Sequence, residues 1–315
     1  MRDPRLGDPR QHARIERFVE EETGERRIRV ATGGGLEFDV HPDRCLDLGM
    51  ISANGVQLAW LGPRDTGGGG DWRRTFRGGL MATCGLDTFG SPSADEGEEY
   101  GLHGAIGTHA ATEVSTSSGD ELVITGSVRQ ARLFAENLVL HRRITTRVGS
   151  NRVEVHDTVV NDGFEAAPQM LLYHLNLGWP VLDQDAVLDL PSDRVTPRDA
   201  DAERGLDSWG SFGPPYRGFR EQVFRHDLPP DTTVTARLSS GRASLAVEVD
   251  TATLPWMFQW KMLGQGAYVL GLEPANCPVI EGRASARKAG VLPVLEPGER
   301  RDYHLAFEVF GKSVA

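Results

Sequence analysis

From Arg27 onward, apolar and polar residues take turns along the chain. Ile28 and Val30 alternate with Arg27 and Arg29, and Leu36, Phe38 and Val40 alternate with Glu37 and Asp39. Segments 56–60, 122–128, 153–159, 234–238 and 245–249 follow the same rule, and 137–146, 169–176, 255–261, 267–273 and 303–310 read likewise. A period of two, interrupted by Gly, Pro, Asn and Asp, predicts half-buried strands joined by turns. A dozen or more such strands without crossover helices predict an all-β fold, a large antiparallel β-sandwich. No fixed-period repeat points to a propeller. Residues 27–315 are expected to form one domain. Residues 1–26 read as a polar N-terminal extension with at most one short helix around 11–22. Two stretches look irregular: 62–78, with four consecutive glycines, and 191–222, rich in Pro, Gly, Asp, Arg and aromatics. A loop as long as the second is unusual in a compact domain unless it serves as a lid or binding loop.

Composition narrows the partners rather than the fold. The 315 residues are 39% hydrophobic and 25% charged, as expected of a globular chain that buries a large core unaided. A net charge of −11 argues against nucleic acid or an anionic membrane surface as partner, because both reward clustered Lys and Arg. It is compatible with a neutral small molecule such as a sugar. Cys45, Cys84 and Cys277 are odd in number and lack a CxxC spacing, so they read as buried free thiols of a reducing compartment. The charged N-terminus has no apolar stretch of the secretory kind, and no run approaches the ~18 apolar residues of a membrane span. The expected location is the cytoplasm. Monomer and homodimer are equally compatible with the sequence.

The commoner catalytic kits are missing: there is no GxSxG, HExxH, phosphate-loop or dinucleotide-binding motif. Three segments carry the candidate chemistry. His103 lies in a loop between Gly101, Gly104 and Gly107, where a backbone can approach a ligand closely. In 169–180, Met170, Leu172, His174 and Asn176 share one strand face, a core face that turns polar toward Gly-Trp-Pro. A lone histidine such as His103 is more often structural than catalytic, and His174 could be a buried histidine satisfied by a carbonyl, although Asn176 beside it favours a site. Glu273 ends the apolar run 267–273. A carboxylate there is costly unless paired or used, and burial would raise its pKa toward that of a general base. Trp60, Trp179, Trp256 and Trp260 stand near strand ends, where aromatic faces suit sugar C–H faces but also ordinary cores. Lys261 and Arg77 are candidate donors to hydroxyls; Arg44 and Asp47 are weaker ones, and could be a structural ion pair.

Taken in order, the runs FRGGLMATCGLDTFG (76–90), LHG, YHLNLGWP, WKM and LGLEPAN resemble the galactose mutarotase (aldose 1-epimerase) superfamily. They are closest to its divergent DUF4432-type branch. The likeness spans roughly 27–312. It implies a mutarotase-like supersandwich with a sugar cleft on one sheet, and a small-molecule carbohydrate as partner. His103 would position ring and hydroxyl oxygens, His174 would act as general acid on the ring oxygen, and Glu273 as general base on the anomeric hydroxyl. Asn176, Arg77, Lys261 and Trp260 would assist in binding. The implied reaction interconverts anomers by ring opening and needs no cofactor. The family's NRI arginine and the acidic residue that fixes distal hydroxyls have no recognisable counterpart. Tyr173 stands in place of the usual Asn.

Two other readings share these residues. His103, His174 and Glu273 could instead hold a divalent metal for isomerisation, epimerisation or elimination on a keto- or acidic sugar. The same scaffold could also bind carbohydrate without turnover.

Overall fold

The computed structural model describes residues 4–63 and 72–311; the glycine run at 67–70 falls outside them. Alternation becomes strand nearly everywhere it was expected, and the strands form two large antiparallel sheets. The first runs in spatial order Arg14–Val19, Arg26–Ala31, Leu36–His41, Asp47–Ala53, Met81–Cys84, Leu172–Gly178, Ala267–Ala275, Trp256–Gly264, Gln222–Asp227 and Arg194–Pro197. The second runs Val187–Asp189, Thr233–Ser239, Ala243–Asp250, Arg300–Gly311, Arg152–Asn161, Asn137–Arg147, Glu121–Ala131 and Thr112–Ser118.

The main core lies between the sheets. Tyr173, Leu175, Leu177, Leu270, Leu272 and Met257 of the first meet Val153, Val155, Leu305, Phe307 and Val247 of the second. Strands of the second sheet bury every other residue, as Arg152–Asn161 does, and turn the rest to solvent. Leu172–Gly178 is buried at every position. Its second face is covered by a smaller cluster of Cys84, Phe89, Leu172, Val223, Phe258 and Ala275. This outer cluster forms the bed of a cleft.

One polar network crosses the main core. The fully buried Arg142 guanidinium donates to both carboxylate oxygens of Asp157 (2.9 and 2.6 Å), to Asp47 (2.9 Å) and to Thr83 (2.9 Å), while Tyr173 donates to Asp157 (2.8 Å). A cation with two carboxylates and further donors is satisfied; any one of them alone would be a buried, uncompensated charge. The ion pair considered between Arg44 and Asp47 does not form. Asp47 belongs to Arg142, and Arg44 donates to the Thr75 carbonyl at 2.7 Å.

Three expectations are corrected. The N-terminal helix is absent: Arg14–Val19 is a strand paired with Arg26–Ala31, preceded by one 3₁₀ turn at Pro9–Gln11 capped by Asp8. The strand-favouring Ile15, Phe18 and Val19 and the open edge of the sheet, which supplies backbone hydrogen bonds, outweigh its helix-forming Arg and Glu. Strand Arg26–Ala31 also runs across the expected boundary at 26/27, so the N-terminal segment is the edge of the same sheet. Finally, 191–222 is not one loop. It holds Arg194–Pro197, a helical turn Ala200–Glu203 and a 3₁₀ turn Leu206–Ser208. A short helix, Arg283–Lys288, escaped notice because six residues show too little periodicity.

Candidate active site

Strand register builds the site. Asn176 faces Gly271 and Leu175 faces Leu272, so His174 comes beside Glu273 one step further along. Across the next ladder Phe258 faces Glu273 and Trp260 faces Gly271. Directly opposed residues project from the same side of a sheet, so His174, Glu273, Phe258 and Trp260 share the outer face. His174 Nε2 lies 3.2 Å from Glu273 Oε1, with both side chains almost wholly buried.

His103 arrives from outside the sheet. Its backbone is left-handed, with φ at 59°, and is fixed by His103 N–H donating to Gly90 (2.9 Å) and its carbonyl accepting from Gly85 (3.1 Å). Gly104 follows with φ at 73°, and a Cβ there would fall 2.4 Å from the Gly85 carbonyl oxygen. Only glycine lets the loop lie this close to the sheet. The His103 ring stands 5.5 Å from that of His174, edge-on at 77°, and its Nδ1 is buried without a partner among the described residues.

Aromatic rings wall the pair. Trp72 lies 4.7 Å from His103, while Phe76 lies 5.1 Å and Trp260 5.6 Å from His174, between ring centroids. They enclose an open cleft of about 400 Å³, with Arg198 and Glu221 also on its lining. That volume lies in the range of small-ligand sites. Arg198 and Glu221 pair at 3.0 Å, and Trp260 Nε1 donates to Glu221 at 2.9 Å. Beside the cleft, a smaller cavity of about 160 Å³ shares Trp72, Phe76 and His103 as walls and is lined by Arg27, His41, Arg44 and Arg77.

Burial sets the protonation of the pair. It raises the Glu273 carboxyl from its ordinary 4.5 to about 8, with Glu221 adding to the rise and Arg198 opposing it. Burial also holds His174 well below the ordinary 6.5, helped by neighbouring His103. His103 is itself lowered to about 4 by burial. At neutral pH, His174 and Glu273 therefore share one proton, as carboxylic acid with imidazole or as carboxylate with imidazolium. Gly271 keeps their surroundings open: a Cβ there would come within 2.7 Å of Glu273 Oε1 and 3.4 Å of the His174 ring.

Of the residues singled out from the sequence, His103, His174, Glu273 and Trp260 come together. Three others do not line the cleft. Lys261 projects from the opposite face of its strand and donates to the carbonyls of Ser208 (2.8 Å) and Ser211 (2.7 Å), pinning the 206–212 segment. Arg77 pairs with Glu25 at 2.7 Å in the smaller cavity. Asn176 is buried and donates to the carbonyls of Gly79 (3.0 Å) and His174 (2.9 Å), which fixes the backbone of the His174 strand. Trp60, Trp179 and Trp256 are likewise outside the lining. The sequence reading missed Trp72, Phe76, Arg198 and Glu221. Trp72 and Phe76 are four apart around the turn Trp72–Thr75, the spacing that stacks neighbours on one helix face, here at 4.2 Å.

Two stacked antiparallel sheets with this cleft define the galactose mutarotase-like fold. A Klebsiella pneumoniae protein that carries the provisional name aldose 1-epimerase superposes with a TM-score of 0.87 at 25% identity, covering 95% of this chain and 84% of its own. A galactose mutarotase-like protein from Clostridium acetobutylicum gives 0.70 at 14% identity over 96% and 100%, and the galactose 1-epimerase of Lactobacillus acidophilus 0.63 at 16% over 95% and 98%. No curated protein matches. The model of the domain of unknown function DUF4432 matches residues 22–309, and the chain belongs to that family.

Proposed function

We propose that the protein is an aldose 1-epimerase-like isomerase that interconverts the anomers of a sugar or sugar derivative. The observation that carries this reading is the buried His174–Glu273 pair, 3.2 Å apart at the bed of an aromatic-walled cleft. Carboxylate and imidazolium are the reactive tautomer. Glu273 takes the proton of the anomeric hydroxyl while His174 gives its proton to the ring oxygen. The C1–O5 bond breaks and C1=O1 forms. The pair is left as carboxylic acid and neutral imidazole, its other one-proton tautomer. After rotation about C1–C2 the two transfers reverse and the ring closes as the opposite anomer.

The pair thus begins and ends with one proton. Each positioned group contributes about 10²–10⁴-fold. For Glu273 burial supports the scheme, because a carboxyl raised toward neutrality can give and take protons near pH 7. His103 positions the sugar oxygens, while Trp72, Phe76 and Trp260 offer faces to its C–H surface and exclude water. The provisional name of the Klebsiella relative agrees with this reading.

The test is anomer equilibration over a panel of sugars, followed by polarimetry or NMR exchange. Acceleration is expected with the wild type and is lost in His174→Ala. Sugars that bind without equilibrating faster would make the protein a carbohydrate-binding module instead. This chemistry requires no cofactor. Stoichiometric metal bound through His103, His174 and Glu273 would overturn it in favour of a metal-assisted sugar isomerase, epimerase or lyase.

A further inference from the structure

The solvent face of the second sheet carries a cluster unrelated to the cleft. Glu154 and His156 are two apart on Arg152–Asn161 and so project from the same side. His304, on Arg300–Gly311, is the direct cross-strand partner of His156. The two imidazoles lie 4.2 Å apart and nearly parallel at 21°. His156 Nε2 is 3.5 Å from Glu154 Oε2, and His304 Nε2 is buried without a partner among the described residues. One potential ligand atom from each of the three residues lies within 4.8 Å of the other two.

We propose that Glu154, His156 and His304 form a binding site for one divalent transition cation, such as Zn²⁺, Co²⁺ or Ni²⁺. Metal–ligand bonds of about 2.0–2.2 Å hold the atoms of one coordination shell roughly 3–4 Å apart. The paired strands fix the stems of the three side chains, and the two imidazoles converge on one ion by turning out of their stacked arrangement. Two imidazoles and a carboxylate suit this class of metals, while Ca²⁺ and Mg²⁺ prefer all-oxygen shells. Water would complete the coordination.

The neighbours favour the site. Arg152 Nε holds Glu154 Oε1 at 3.0 Å, which leaves Oε2 turned toward His156. The same guanidinium is shared with Glu248 at 2.6 Å, so its charge is more than balanced by two carboxylates. Such outer contacts orient metal ligands. On the far side of His156, Arg143 is engaged by Glu121 at 3.0 Å.

The experiment is calorimetric titration of the metal-stripped full chain with Zn²⁺, repeated with Co²⁺ to read the ligand-field absorption of the bound ion. One ion per chain is expected. Affinity should fall tenfold or more in His156→Ala and in His304→Ala, fall in Glu154→Gln, and stay unchanged in His174→Ala. All three positions are on the sheet surface, and circular dichroism of each variant checks that it folds. Absence of binding at millimolar Zn²⁺, or binding indifferent to both histidine variants, would overturn the site. Binding lost in His174→Ala would overturn it too, and would move the metal to the cleft. The sites lie on different sheets, so anomer exchange by the wild type remains a separate result.

Discussion

Glu273→Gln separates the chemical role of this carboxyl from its cost to the fold. In the native state the His174–Glu273 pair holds one proton until the pH passes about 8, the raised value of Glu273. In the unfolded chain the same groups titrate at their ordinary values, Glu273 at 4.5 and His174 at 6.5. Between 4.5 and 6.5 native and unfolded chains each hold one proton on these groups, so the pair adds no slope to stability. Between 6.5 and about 8 the native pair keeps a proton that the unfolded chain has released, and stability falls as pH rises. A window of about 1.5 pH units at about 1.4 kcal/mol per unit gives a loss of roughly 2 kcal/mol.

Glutamine cannot titrate. In the variant only the lowered His174 remains, whose contribution to the slope ends once the unfolded imidazole is neutral above 6.5. Wild type and Glu273→Gln are to be unfolded in urea at pH 6.5, 7, 7.5 and 8, and their stabilities subtracted so that every other titration cancels. The variant should gain on the wild type by roughly 2 kcal/mol across that window, while anomer exchange falls by about 10²–10⁴-fold. Parallel stability curves would refute the buried, protonated carboxyl, whatever the activity shows.

The same proton accounting gives a pH profile: kcat/KM should hold through neutrality and decline above about 8, when the pair loses its only proton. An activity still rising at pH 9 would contradict it. Gly271→Ala should displace the Glu273 carboxylate, whose Oε1 a Cβ would approach to 2.7 Å, and lower kcat more than it raises KM; unchanged steady-state kinetics would show the bed of the cleft to be more compliant. If His103 positions substrate as proposed, His103→Asn should raise KM with a smaller effect on kcat. Arg142→Ala should destabilise by about 3–5 kcal/mol, measured by urea unfolding, because Asp157 and Asp47 would be left buried without their cation.

What the sequence determined by itself was set by local rules. A period of two encodes strands, because successive side chains point to opposite sheet faces, and the glycines around His103 signal a backbone that must turn where other residues cannot. Facing along one strand was enough to single out His174, and a lone carboxylate ending an apolar run was enough to single out Glu273. The same local reasoning misread Lys261 and Arg14–Val19. Lys261 differs from Trp260 by one position, and one position on a strand is the opposite face; which face meets the cleft depends on what covers each side of the sheet. RIERFV becomes a strand because a sheet edge lies beside it, and no local window contains that edge. Register between Leu172–Gly178 and Ala267–Ala275, nearly a hundred residues apart, is what brings imidazole and carboxylate to 3.2 Å. Trp72 comes from a helical turn, and Arg198 and Glu221 from residues that flank the strands Arg194–Pro197 and Gln222–Asp227; only the packing of these segments brings them to the cleft. The tertiary structure alone decided the pair's shared proton, since burial, which moves both pKa values, belongs to the assembled fold.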